Sequence, residues 1–312
     1  MKVVVTGAAG FIGSHLTDAL LARGDTVVGV DSFAPNYSRS IKERNLASAI
    51  DSDGFELIEG DLRELDLVDL LEGADGLVHL AAFTDARGGE SDLPEYERLN
   101  VDLPRRLLVA AHGAGVGSIL LASSSAVYGG AREDGSPSTE LDPLEPIAPY
   151  GQSKAEMEQV ADDAAAGGVP VACLRFFTVY GSRQRPDMPR APAHAAATRG
   201  PPLPLLGDGT QRRAWVHVGD AVASILAALA TDLAPGTVLN IGSRDSHAVS
   251  ELIDLIAELT GHEVRIESLA AHPADPAATI ADISRAAELL GWKPKVDLQK
   301  GLEEQVAWAR GL

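Results

Sequence analysis

A tyrosine and a lysine four residues apart, Tyr150 and Lys154 in "PYGQSK", are the first residues in this chain whose types and spacing suggest chemistry. At that spacing two side chains share one face of a helix. A phenol titrates near pH ~10, and a neighbouring ammonium favours its ionised form. The pair therefore reads as a base, Tyr150, with its charge partner, Lys154. Tyr and Lys one turn apart can equally be a solvated surface pair, so the reading needs further residues that converge on the same place.

They are present. "VVVTGAAGFIGSHL" puts Gly7, Gly10 and Gly13 between a strand and a helix near the N-terminus. Glycines there allow a tight turn, let the backbone approach a diphosphate and bring the helix close, while the helix N-terminus attracts anionic oxygens. The spacing is G-x-x-G-x-x-G. The next strand, "TVVGVD", ends at Asp31, eighteen residues after Gly13. A carboxylate at that position accepts hydrogen bonds from an adenosine ribose and repels a 2′-phosphate, which favours NAD over NADP. Arg39 is the one feature that points toward NADP. Asp61 and Leu62 follow the third strand and "HLAA", with Leu80, Ala81 and Ala82, follows the fourth, so both reach the groove at the carboxyl ends of the strands. His79, set among apolar neighbours, reads as a packed strand histidine. Phe11, Ile12, Ser32, Asn100, Ser123 and Phe177 complete the expected cofactor set. The fifth strand, "SILLASSSAVYG", ends in serines, and Ser124 lies four residues before Tyr128. Ser124, Tyr150 and Lys154 together with the glycine loop assemble around one nicotinamide.

The elements that position these residues are legible as alternation. Short β-branched runs ("KVVVTG", "TVVGVD", "FELIEGD", "GLVHLAA", "SILLASSS", "VPVACLRFF") alternate with longer amphipathic stretches, which means βαβ units and a parallel sheet covered on both faces. The expected fold is α/β, a doubly wound Rossmann sheet with a smaller C-terminal lobe. The dinucleotide-binding domain is placed at 1–174, with returns near 212–242, and the substrate lobe mainly at 175–312. From about Phe176, "GSRQRPDMPRAPAH" and "RGPPLPLLGDGTQRR" are rich in Pro, Gly and Arg and are expected to be extended or irregular.

Composition narrows the classes. The 312 residues carry 4% aromatics and a formal charge of -19, which disfavours a reader of nucleic-acid phosphates or an anionic membrane surface. The single cysteine, Cys173, excludes an internal disulfide, and no Cys/His cluster suggests a metal. Without a leader pattern or an apolar run of the roughly 20 residues that span a bilayer, the expectation is a soluble, cytoplasmic protein.

At this point the chain resembles the extended short-chain dehydrogenase/reductases over essentially its full length, through "TGAAGFIGSH", "DL" at 61 and 62, "HLAA", "SSSAVYG", "YGQSK", "RFFTVYGSRQRPDM" and "GDGTQRRAWVHVGD". The resemblance implies tightly held NAD, a nucleotide-sugar substrate, catalytic Tyr150, Lys154 and Ser124, and a homodimer through helices near 96–112 and 150–166. Members that eliminate water or carbon dioxide carry an acid just after the catalytic Ser or Thr, where this chain has Ser125 and Ala126. That favours 4-epimerisation. The T-V-Y-G-x-R-Q-R-P-D-M pattern is most like the UDP-glucuronate 4-epimerases, with Thr178 where many hexose epimerases have Asn. It implies sugar contacts from Arg87, Ser124, Ser125, Thr178 and Arg185, and diphosphate contacts from Arg213 and His272. The alternatives are a UDP-glucose/UDP-galactose 4-epimerase, a nucleotide-sugar reductase or dehydrogenase that releases its cofactor, and a non-catalytic nucleotide sensor.

Overall fold

A computed structural model describes residues 1–84, 89–132, 134–186, 188, 202–272 and 275–311. The chain runs β1 (Lys2–Thr6), α1 (Phe11–Arg23), β2 (Thr26–Asp31), α2 (Arg39–Asn45), β3 (Phe55–Glu59), α3 (Leu67–Leu71), β4 (Gly76–His79), α4 (Leu93–Tyr96), α5 (Leu103–Gly113), β5 (Ser118–Ser124), α6 (Pro149–Ala166) and β6 (Val171–Phe176). It continues through β7 (Thr178–Tyr180), β8 (Leu203–Leu206), β9 (Arg212–His217), α7 (Val218–Leu229), β10 (Thr237–Ile241), β11 (Ser246–Ala248), α8 (Val249–Thr260), β12 (Ile266–Leu269), β13 (Ala278–Thr279), α9 (Ser284–Leu290) and α10 (Leu298–Arg310).

Seven strands form the central sheet in the order β10-β6-β5-β4-β1-β2-β3, every neighbour parallel. A parallel sheet needs cover on both faces, and the strand sequences supply it: β4 and β6 are buried at every position. Val3 and Val5 of β1 join one apolar core with Leu16 and Leu20 of α1 and Ile225 of α7, while Val4 joins the opposite core with Leu103, Leu107 and Leu108 of α5 and Met157 of α6. Alternate β1 residues thus reach opposite faces, as a period of two requires. The strand order reverses between β1 and β4, and a crevice for ligands opens at the carboxyl ends of the strands there.

The sheet takes its seventh strand from 237–241, within the return expected at 212–242. β9 does not join it. It builds a separate four-stranded sheet with β7, β11 and β13, and β8 pairs with β12. Tyr180, Trp215, Leu252, Ile256, Leu302 and Val306 pack a third core beside these strands. The Pro-rich stretch around 203–206 is extended, as composition implied, whereas much of 187–201 lies outside the described residues. The long amphipathic stretch from Tyr96 is interrupted: between α4 and α5, Glu97–Asp102 winds as a π-type segment. Such a segment often marks a functional position, and Asn100 sits in this one.

Candidate active site

The glycine loop has the shape that its residue types dictate. Gly7 has φ +71°, a left-handed conformation that only glycine adopts without strain, and a Cβ added there would stand 2.9 Å from the Ala81 amide nitrogen. A Cβ at Gly13 would stand 2.1 Å from the Gly7 carbonyl oxygen, so α1 comes too close to the loop for any side chain. Gly10 caps α1 without a side-chain hydrogen bond, and the helix has no acid in its first turn. Its N-terminal amides therefore present uncompensated positive ends. Phe11 and Ile12 form that first turn.

Asp31, at the end of β2, accepts the Ala9 amide at 3.0 Å and the Phe33 amide at 2.8 Å, one on each oxygen. These bonds fix the carboxylate beside the glycine loop and leave each oxygen capacity for a ribose hydroxyl. Ser32 is exposed next to it. Leu62 is buried, and Asp61 is occupied by Arg63 at 2.6 Å, whose hydrogen bonds hold the carboxyl below its usual range. Leu80, Ala81 and Ala82 are half-buried beyond β4. The Thr6 hydroxyl accepts the Leu80 and Ala81 amides, both at 3.2 Å, so its own proton goes to His79 Nδ1 at 2.7 Å. His79 is consequently the neutral Nε2–H tautomer, and burial pushes its pKa down to about 3. It is a structural histidine.

Ser124 ends β5 and Tyr150 is the second residue of α6, which starts with a proline in its first turn. The Ser124 hydroxyl accepts the Ala126 amide at 3.2 Å and acts on the Tyr150 phenol as a hydrogen-bonding neighbour that lowers its pKa. Burial raises the phenol above its usual range, opposed by that Ser124 bond and by the positive charge of Arg185. Lys154, the expected charge partner, has its Nζ bonded to the Ala122 carbonyl at 2.8 Å and 6.0 Å from the Tyr150 ring centroid. Burial brings its pKa down to about 8. Lys154 lies one turn below the phenol; its Nζ also meets Met157 Sδ at 3.9 Å, which leaves one further N–H.

Three residues expected along the cofactor groove are sealed inside the protein. Asn100, 1% exposed, accepts the Phe83 amide and donates to the Phe83 carbonyl and to Ser153 Oγ, all at 2.9 Å. Ser153 in turn donates to the Tyr150 carbonyl at 2.9 Å. The π-type winding turns Asn100 inward, where it ties the β4 exit to the first turn of α6. The Ser123 hydroxyl donates to Glu158, and buried Phe177 packs its ring 6.3 Å from that of Tyr128. All three side chains brace the groove wall.

On the sugar side, Ser125 opens a short 3-10 turn after β5, and Thr178 opens β7 opposite Trp215. Both are half-buried. Arg185 donates to Thr84 Oγ1 at 2.5 Å and stands 5.7 Å from the Tyr37 ring, so it reaches toward both the β2 and the β4 loops. Arg87 lies outside the described residues. Arg213 is 1% exposed and ion-paired with Asp275 at 2.5 Å, while His272 is exposed and offers its carbonyl to the Asp275 amide at 2.9 Å. Sequence reasoning missed a buried polar chain behind Ser124. Glu158 pairs with Arg175 at 2.6 Å, Arg175 donates to the Tyr128 hydroxyl at 2.7 Å, and Tyr128 donates to Asn240 at 2.7 Å. Its signals were a charge inside the apolar run "VACLRF" and an acid one turn beyond Lys154.

The glycine cradle, the bare N-terminus of α1 and the pinned Asp31 fit a dinucleotide. The chain is similar along its length to known proteins. The structure of UDP-glucuronic acid 4-epimerase from Bacillus cereus, in complex with UDP-glucuronic acid and NAD, is 34% identical with a TM-score of 0.93, over 100% of this chain and 99% of that one. MoeE5, solved with UDP-glucuronic acid and NAD and also with UDP-glucose and NAD, is 38% identical with a TM-score of 0.89 over the same shares. A Bacillus subtilis (strain 168) protein named uncharacterized UDP-glucose epimerase YtcB is 36% identical over 315 residues, 100% of this chain and 99% of that one. Residues 3–242 match the family described as NAD dependent epimerase/dehydratase, and the chain belongs to that family.

Proposed function

We propose that the protein interconverts the C4 epimers of a UDP-sugar, with UDP-glucuronate and UDP-galacturonate as the pair. The observation that carries this reading is the pairing of Ser124 with Tyr150 without a carboxyl group after the serine: Arg185 and Lys154 are the positive charges near the phenol, and the positions after Ser124 are Ser125 and Ala126. Elimination needs an acid there to move a second proton. Epimerisation needs one proton taken from the C4 hydroxyl and later returned to it.

Tyr150 takes and returns that proton, and Ser124 bonds the same sugar oxygen as it changes between alcohol and ketone. Lys154 supplies positive charge from below, which favours phenolate over phenol. A nicotinamide held in this groove would supply the acceptor, and then the donor, of the C4 hydride. A 4-keto uronate is a β-keto acid and loses carbon dioxide when the breaking bond aligns with the ketone. Thr178 and Ser125, half-buried hydroxyl groups at the strand ends, would hold the C6 carboxylate out of that alignment. UDP-glucose is the second reading, supported by the MoeE5 complex with that sugar.

The reading includes a cytoplasmic homodimer. Arg105 and Arg106 are exposed on α5, and Glu156 and Asp163 are exposed on α6, so a two-fold pairing of these helices would match opposite charges. Sedimentation of the purified protein tests it. For the reaction, the purified protein is incubated with UDP-glucuronate, UDP-glucose and UDP-N-acetylglucosamine without added cofactor, and products are identified by NMR. Conversion of UDP-glucuronate to its C4 epimer supports the proposal. A stoichiometric change at the nicotinamide absorbance band, or no turnover of any of the three, refutes it.

A further inference from the structure

We propose that Glu59 is a cofactor-selectivity residue, which excludes NADP by engaging Arg39, the guanidinium stacked beside the adenosine-ribose position. That position lies at the end of β2, where Asp31 is held. Asp31 and Glu59 are direct partners in the β2–β3 register, so their backbones are about 4.8 Å apart and their side chains leave the same sheet edge. Arg39 closes the arrangement. Its Nη1 and Nη2 donate to the two Glu59 oxygens at 2.7 Å each, its Nε donates to Glu43 at 2.7 Å, and its guanidinium lies 4.5 Å from the Phe33 ring. The Phe33 amide is the donor that pins Asp31 at 2.8 Å.

An arginine near a strand-end carboxylate is the residue type that accommodates a 2′-phosphate, through two parallel N–H bonds. Here the end-on fork is already spent on Glu59 and the Nε–H on Glu43, which leaves one N–H on each Nη but no unoccupied end-on fork. A lone exposed ion pair is weak. This one is a fork on a fork with a second acid and a ring beneath it, and each acid would repel the incoming phosphate as well as compete for the arginine. The sequence feature that pointed toward NADP is thereby neutralised by an acid twenty residues further along the chain. The inference concerns the adenosine end and stands whichever sugar is the substrate.

The test is a cycle of variants in which NAD and NADP dissociation constants are measured by calorimetry on protein stripped of nucleotide. The background is Asp31→Ala, which removes the carboxylate that would mask any gain. Adding Glu59→Gln should improve NADP affinity relative to NAD by about tenfold, the scale of one charged fork gained. Adding Arg39→Ala to that pair should abolish the improvement. No relative gain with Glu59→Gln overturns the proposal. A gain that survives Arg39→Ala also overturns it, because it would come from lost acidity alone and not from a freed arginine.

Discussion

Glu158 and Arg175 form an ion pair at 2.6 Å in which the two side chains are 7% and 4% exposed, directly behind the strand end that carries Ser124. Ser123 donates to the same carboxylate, and the guanidinium carries the contact on to Tyr128. A buried pair of this kind costs far more to break than to replace. Arg175→Met strands the Glu158 charge and should lower unfolding stability by about 3–5 kcal/mol. Glu158→Leu combined with Arg175→Met should recover most of that loss. Urea denaturation of the two variants checks the pattern, which fails if the double variant is no more stable than the single one.

The Ser124 hydroxyl bond is one of the two influences that lower the Tyr150 phenol against burial. Ser124→Ala removes it, so the phenol's pKa rises and the active, ionised form is reached only at higher pH. Turnover at neutral pH should fall by about two orders of magnitude, the usual scale for a lost general-base or oxyanion contact. The alkaline shift of the pH–rate profile separates this from a folding defect, since misfolding would lower the amplitude without moving the limb.

What the sequence made legible was the part of the site that backbone geometry demands locally. Gly7 and Gly13 are required by close approach within one turn, Asp31 by its place at a strand end, and Tyr150 and Lys154 by one helical turn. What it hid depends on partners far along the chain. Arg213 reads as a free phosphate fork until the fold brings Asp275 to it at 2.5 Å. Asn100 reads as a groove polar group until a π-type winding turns it onto Phe83 and Ser153. The resting place of the Lys154 ammonium was hidden for a related reason. Spacing puts the two on one face, but the Ala122 carbonyl of the neighbouring strand decides where the ammonium rests.

Gly13→Ala tests the loop directly. The added methyl group meets a backbone oxygen at 2.1 Å, an atom that cannot swing aside. Either the loop or α1 must move, and the diphosphate cradle moves with it. Nucleotide released from the purified variant on denaturation should fall at least about tenfold relative to the parent, equivalent to about 1.4 kcal/mol of lost binding.

Thr178→Val keeps shape and removes the hydroxyl assigned to the uronate carboxylate. KM for UDP-glucuronate should rise about tenfold, as expected for one lost bond to a charged group, while KM for UDP-glucose changes little. Loss of carbon dioxide should also appear, because the carboxylate is no longer fixed against the ketone. Detection of a UDP-4-keto-pentose by mass spectrometry checks the second effect; its absence together with an unchanged KM removes Thr178 from the site.

His79 makes stability depend on pH in a defined direction. Its folded pKa is about 3 against 6.5 for the free group, so below pH 6.5 the unfolded chain binds a proton that the folded chain refuses. Unfolding is therefore favoured as pH falls from 6.5 toward 3, and the contribution is constant above about pH 7.5. Between pH 7.5 and 5 this residue alone should lower stability by about 2 kcal/mol. His15, whose pKa burial brings down to about 4, acts in the same direction. Acid also relieves the repulsion of a chain with formal charge -19, which opposes both histidines. The decisive quantity is the difference between parent and His79→Gln, whose amide oxygen can still accept from Thr6. Guanidinium unfolding at pH 5 and 7.5 should show a smaller loss in the variant by roughly that 2 kcal/mol, and equal losses would mean that His79 is protonated in the folded protein.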